Sequence, residues 1–371
     1  AALPPSPPEY GQPAGLFAWM RNNLDYLSAH PLTQQNGAQI AALVAWTQRE
    51  FERLAPLLAH RREQGWVREC HGDLHLGNIV LVGGEPLPFD CIEFNAELRH
   101  IDVMSEVAFT FMDLLRHGLQ RLAWRFLSAY LEQCGDHPGM AVLTFFAVYR
   151  ALVRAKVALI RAEQAQANGD FAAFEKPLAL AERLTAMPST APLLVLTSGV
   201  SGSGKSTVAQ ELVETLGAVR IRSDVERKRL FGLTATERAG AEIYAPEATR
   251  RTYERLTAQA RSVLQAGLHV IVDAACLLRH ERDALRATAS ELGARFALLE
   301  CTAPEPVLRE RVAQRLAEHR DASDATVAVL ETQLRVREPI APEEGAHVLD
   351  TQSDRVALGV QALSYMQQHA P

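Results

Sequence analysis

The chain has 371 residues, of which 48% are hydrophobic and 22% charged; this is enough for roughly two to three domains of about 150 residues, and the composition excludes a wholly disordered or fibrous protein. A formal net charge of -6 argues against extended nucleic acid or an anionic membrane as partner, so small or neutral partners are expected. The five cysteines include no C-x-x-C pair and no apolar run reaches about 18 residues, so a disulfide framework, a zinc site and a membrane span are not indicated and a cytoplasmic setting is expected.

The opening residues AALPPSPPEYGQPA are Pro-rich and have neither a basic segment nor the hydrophobic core of a signal peptide. Residues 1–14 are expected to be disordered. The chain opens on Ala rather than Met, which suggests truncation or processing. From residue 15 to about 66, spaced apolar residues as in LFAWMRNNLDYL and IAALVAWTQREFERLAPLL have helical periodicity.

The stretch HGDLHLGN, residues 71–78, then sets Asp73 and Asn78 five apart. That is the spacing at which protein kinase loops place a catalytic base and a magnesium ligand. His71 and His75 are four apart, but Gly72 and the loop-like surroundings spoil the helical face a zinc pair needs. NIVLVGGEPLPFDCIEF reads as a strand, a Gly-Gly turn and a second strand, and helical patterns fill the stretch to about 186. TAMPSTAPLL ends the last helix, which sets a boundary between residues 15–187 and 188–371.

Beyond that boundary LLVLTS, AVRIRS, HVIVDA, FALLEC and HVLDT alternate with helical stretches, the pattern of a five-stranded parallel sheet covered on both faces. GVSGSGKST, residues 199–207, fits G-x-x-x-x-G-K-[ST], follows a strand and opens a helix, as a P-loop requires. Its glycines and helix N-terminus let backbone amides converge on phosphate, so Gly199, Ser201, Gly202, Ser203, Gly204, Lys205, Ser206 and Thr207 are the expected ATP-binding residues. Lys205 is expected to neutralise the β and γ phosphates, and Ser206 to offer its hydroxyl to Mg2+. Asp273 ends HVIVDA where a Walker B carboxylate holds magnesium. Asp224 follows the second strand and reads either as an acceptor-orienting carboxylate or as the N-cap of the next helix. Arg311 and Arg315 are four apart and share a helix face, with Arg320 in the polar break beyond; they read as lid arginines over a transferring phosphoryl group or as a solvated face.

Through GVSGSGKST, SDVER, VIVDA and the Arg-bearing segment, residues 192–371 resemble the small P-loop kinases. That group includes gluconate kinase, chloramphenicol phosphotransferase and the polynucleotide kinase 5' domain. The resemblance implies that Asp224 is the base and Arg227 a substrate contact. HGDLHLGN followed by FDCIEF is similar to the aminoglycoside phosphotransferase family, which implies that Asp73 is a base and that Asn78 and Asp90 hold magnesium. It covers the helical C-terminal lobe only; the N-terminal lobe has no counterpart, so the chain reads as a fragment or its first domain as a remnant. The combination resembles a bacterial family that fuses the two modules.

The expected function is Mg-dependent transfer of the ATP γ-phosphoryl group to a hydroxyl of a small molecule at the C-terminal P-loop, with the first domain binding the acceptor or acting as a second phosphotransferase. The competing readings are an ATP-dependent switch or scaffold with slow hydrolysis, and a nucleic-acid 5'-hydroxyl kinase.

Overall fold

The computed structural model describes residues 4–164, 171–186, 190–318 and 322–369. The chain divides into two compact units: residues 1–123 with 142–187, and residues 124–141 with 188–371. Residues 187–189, at the expected boundary, and Arg320 lie outside the described residues. Among the described residues no helix is long and apolar enough to cross a membrane.

In the first unit, α1 (Pro13–Ala29) packs on α2 (Gly37–Glu63). β1 (Val67–Glu69), a hairpin of β2 (Ile79–Val82) and β3 (Glu85–Pro88), and β4 (His100–Asp102) follow. α3 (Val103–Arg116), α4 (Gln120–Cys134), α5 (Met140–Gln164) and α6 (Phe171–Thr185) come next. Every residue of α3 from Met104 to Asp113 is buried; a helix buried all round is a core element, not a surface one. Its start is fixed by Asp102, which accepts a hydrogen bond from the Met104 amide at 2.8 Å and receives Arg61 in two bonds, Nε to Oδ2 at 2.7 Å and Nη2 to Oδ1 at 2.8 Å. One buried carboxylate thus caps a helix and ties α2 to it.

Residues 4–12, expected without structure, form an arm instead. The Ser6 amide donates to the Val67 carbonyl at 2.9 Å, Pro5 bridges Arg68, and the Tyr10 ring stacks on His100 with centroids 4.4 Å apart. Proline disfavours helix but fits an extended edge, where its missing donor is no loss.

The second unit is built on a parallel sheet: β5 (Leu193–Ser198), β6 (Ala218–Arg222), β7 (His269–Asp273), β8 (Arg295–Thr302) and β9 (His347–Asp350), in the order β6-β7-β5-β8-β9. The expected five parallel strands are all present. All six residues of β5 are buried, as a central parallel strand covered on both faces requires. The helices are α7 (Lys205–Leu212), α8 (Ser223–Leu230), α9 (Pro246–Gln265), α10 (Arg279–Glu291), α11 (Glu305–Glu318), α12 (Val327–Val336) and α13 (Arg355–His369). Leu193 and Val195 of β5 join Val208, Leu212, Ile271, Leu299, Leu358 and Met366 in one core, against which Trp124 packs.

A contiguous cut at 187/188 therefore differs from the observed packing, because residues 124–141 belong with the P-loop unit. Buried Glu226 of α8 explains part of this. It pairs with Arg229, accepts from Arg255 Nε at 2.6 Å and Gln259 Nε2 at 2.7 Å, and faces His137. Burial pushes the His137 imidazole down to about 4, opposed by the Glu226 charge. The unfolded chain takes up a proton below about 6.5 that the native fold excludes, so stability is lost as pH falls from there towards 4. Urea denaturation at pH 7.5, 6 and 5 should show the native state of the wild type losing stability, by roughly 3 kcal/mol in total on reaching pH 4. That slope should be reduced in His137→Asn; an identical slope in both proteins would refute this account.

Candidate functional site

The carboxyl edge of the sheet carries the site. β5 lies between β7 and β8, so the chain leaves the central strand where successive connections diverge to opposite sides, and a crevice opens there. The turn from β5 into α7 requires glycine at two positions. Gly204 has φ 83° and a Cβ there would lie 2.8 Å from Thr351 Cβ; Gly199 has φ 143° and its Cβ would lie 2.5 Å from the Cys301 carbonyl oxygen. Side chains are thus excluded, and the first amides of α7, which lack intrahelical acceptors, open on the loop. Lys205 Nζ donates to the Val200 carbonyl at 2.8 Å and to Ser203 Oγ at 3.4 Å. Burial lowers the pKa of its ammonium, and the Asp273 charge opposes this.

Lys205, Ser206, Asp224, Arg227, Asp273 and Arg315 line one cleft, so the structure brings together residues as far apart in sequence as 205 and 315. Asp273 ends β7, is 4% exposed, and its Oδ2 has no hydrogen-bond partner among the described residues. Arg222 Nε lies 3.8 Å from that oxygen. Asp224 is the second residue of α8, whose N-cap is Arg222 and has no side-chain cap bond. Asp224 therefore caps nothing, and its half-buried carboxylate makes no hydrogen bond or ion pair with any described residue. Arg227 Nη1 donates to the Ile243 carbonyl and to Thr249 Oγ1, both at 3.0 Å, while its guanidinium lies 5.2 Å from the centre of the Tyr244 ring. The buried Nε atoms of Arg227 and Arg315 have no hydrogen-bond partner among the described residues.

Arg311 is placed differently. It does not line the cleft: Nη1 donates to Thr351 Oγ1 at 2.9 Å and to the Gly202 carbonyl at 3.3 Å, and Nη2 to the Thr351 carbonyl at 2.8 Å. Its donors tie Gly202 of the loop to Thr351, one helical turn from Arg315. Among the cleft residues that were not anticipated, Gln333 and Tyr253 hold backbone amides. Gln333 of α12 accepts from the Ser201 amide at 2.7 Å, and the Tyr253 hydroxyl accepts from the Cys276 amide at 3.0 Å. Cys276 holds a φ of 43°, a strained backbone beside the site that a run of small residues does not reveal.

In the first unit the motif closes on itself. Asn78 Nδ2 donates to Asp73 Oδ2 at 3.1 Å and to the Asp73 carbonyl at 3.0 Å. His75 Nε2 lies 3.4 Å from Asp73 Oδ2 and 2.9 Å from Arg154 Nη1. Burial raises the Asp73 pKa, but the His75 hydrogen bond and the His75 and Arg154 charges outweigh it, so the carboxyl sits below its usual value. His71 Nε2 bonds the Phe89 carbonyl at 2.8 Å, which accounts for that ring without a metal. Asp90 is exposed with φ 61°, and its chain neighbour Phe89 donates its amide to the Asn78 carbonyl at 3.0 Å.

Residues 194–340 match a family model described as an AAA domain. The chain is 31% identical over 278 residues to an uncharacterized protein of Mycobacterium tuberculosis and, equally, to one of Mycobacterium bovis. The alignment takes in 74% of this chain and 55% of the relative, so the chain spans about half the length of the curated relatives it matches. Among solved structures, a sugar kinase from Janibacter is 22% identical with a TM-score of 0.36, covering 49% of this chain and 97% of that one. A gluconokinase from Sinorhizobium meliloti is 25% identical with a TM-score of 0.36, covering 48% and 94%. A putative kinase from Chloroflexus aurantiacus is 21% identical with a TM-score of 0.40, covering 49% and 99%.

The Arg311 contacts separate a clamp from a lid. Arg311→Ala should lower stability in urea by about 1–3 kcal/mol and weaken ATP binding in a fluorescence titration. Turnover at saturating ATP should change by less than about threefold; a large loss of turnover with unchanged binding would return Arg311 to the reaction itself.

Proposed function

We propose that the C-terminal unit transfers the γ-phosphoryl group of ATP to a hydroxyl of a small molecule. The observation that carries this reading is the Asp224 carboxylate, which has no hydrogen bond or ion pair among the described residues and lies in a cleft shared with Lys205, Ser206 and Asp273. A carboxylate left without a partner among cationic side chains serves a ligand better than it serves the fold. A nucleotide switch has no need of it.

In this reading the amides of residues 199–207 and Lys205 hold the ATP phosphates. Asp224 accepts the proton of the acceptor hydroxyl as its oxygen bonds to the γ phosphorus; the bridging β–γ P–O bond breaks and its electrons leave with ADP. Arg315 stabilises charge on the transferring oxygens, and Arg227 contacts the acceptor while holding residues 243–249 in place. The orphaned Oδ2 of Asp273 and the Ser206 hydroxyl fit a hard divalent cation. Bound Mg2+ supplies charge neutralisation at the phosphates. No cluster of three or more His, Cys, Asp or Glu placed to hold a metal occurs among the described residues, so further oxygens would come from phosphate and water.

The first unit is proposed as a kinase-like module that binds an acceptor or carries out a second transfer. Its support is the Asp73 carboxylate, held charged and oriented by Asn78 and His75. Asn78 and Asp90 would hold Mg2+ there.

Acceptor-dependent ADP release, followed over sugars, nucleosides, aminoglycosides and short oligonucleotides, tests the reading. Asp224→Asn should cut turnover about 10²–10⁴-fold while ATP still binds, and Lys205→Ala should lose both. Asp73→Asn should leave transfer at the P-loop unchanged. Full transfer by Asp224→Asn to every acceptor would sink the assignment.

A further inference from the structure

We infer that Glu132, at the end of α4, is a positioning residue for the P-loop site: it holds Arg222 off Asp273 and so keeps that carboxylate open for a divalent cation. The inference rests on the reading of Asp273 given above. It begins with register, because Arg222 and Asp273 are direct partners on the parallel strands β6 and β7. An arginine beside a buried carboxylate ordinarily closes into a bidentate pair. Arg61 with Asp102 at 2.7 and 2.8 Å and Arg282 with Glu344 at 2.6 and 2.9 Å are such pairs.

Arg222 does not close in that way. Its Nε stays 3.8 Å from Asp273 Oδ2, and that oxygen is left without a hydrogen bond. Glu132 Oε2 lies 3.6 Å from Arg222 Nη1, while Glu132 Oε1 pairs with Arg220. The guanidinium therefore stands within ion-pair distance of two carboxylates, and Glu132 shares its charge with Asp273.

Glu132 is itself held. Arg229 Nη2 donates to the Glu132 backbone carbonyl at 2.6 Å. Just beyond, Gly135 has φ 74°, and a Cβ there would lie 2.9 Å from Arg229 Cζ. The α4 terminus is thus seated on α8, the helix that carries Asp224 and Arg227. Residues 124–141, contiguous in sequence with the helical half, thus belong to the P-loop unit itself.

The test is Mn2+ binding, by electron paramagnetic resonance, to the full chain with a non-hydrolysable ATP analogue. Glu132→Gln keeps the shape of the side chain and removes its charge, so Arg222 should settle on Asp273. Mn2+ affinity should then fall about tenfold or more while metal-free nucleotide binding is unchanged. Arg222→Gln alone should bind Mn2+ at least as tightly as wild type, and Glu132→Gln with Arg222→Gln should regain wild-type affinity. A purely structural role for Glu132 predicts no such rescue. Wild-type Mn2+ affinity in Glu132→Gln, or a double variant as weak as the single one, overturns the inference. Should Glu132→Gln not fold, Mn2+ binding weakened by Arg222→Gln alone overturns it equally. The two readings fail separately: Mn2+ differences without acceptor phosphorylation by wild type would remove the transfer reaction and leave the positioning role standing.

Discussion

Burial of β5 is the constraint on which the second unit depends. A strand with apolar neighbours on both faces and hydrogen-bonded strands on both edges cannot slip in register without exposing its core. Its carboxyl end is therefore fixed in space, and the turn that follows inherits that position. Glycines at 199 and 204 then let the backbone pass where Cys301 and Thr351 leave no room for a side chain. The phosphate-binding geometry follows from the packing of the sheet.

The same edge collects the chemistry. β6 and β7 run parallel to β5, so their last residues, Arg222 and Asp273, arrive beside the loop that leaves it. The segment after β8 turns back as α11 and α12, and these helices pack Leu308, Val312 and Leu330 against Val200 of the loop. Asp224, Arg227 and Arg315 thereby share a cleft that a linear chain does not suggest. Arg311, one turn away, bonds Thr351 and the Gly202 carbonyl instead. Four residues of spacing put two arginines on one helix, but rotation about its axis and the nearby carbonyl acceptors decided their separate contacts.

Charged groups in this protein fall into two kinds. Arg61 with Asp102, Arg282 with Glu344, and Glu226 among its cationic partners are closed networks whose donors and acceptors match. They fix helices relative to strands and leave nothing over for a ligand. Asp273 and Asp224 are the other kind, carboxylate groups with oxygens left over in a cleft. A composition of 22% charged residues does not distinguish the kinds, since both draw on the same side chains.

Local pattern was enough to read the five strands, the P-loop, the β2–β3 hairpin and the helical character of the first half, because alternation, apolar runs and glycine spacing act over a few residues. Pro-rich composition misled at residues 4–12, where an edge-strand partner turns an extended segment into an arm. Gln333 and Tyr253 lay in ordinary helical patterns, and nothing local set them apart from surface or core. The attachment of residues 124–141 to the P-loop unit, and with it the place of Glu132 beside Arg222, was also beyond local reading. Motifs are encoded by neighbours in sequence, and the sequence by itself determined those. The partners of a buried charge come from wherever the chain returns, so the tertiary structure alone decided which carboxylates are closed into the fold and which are left open in the site.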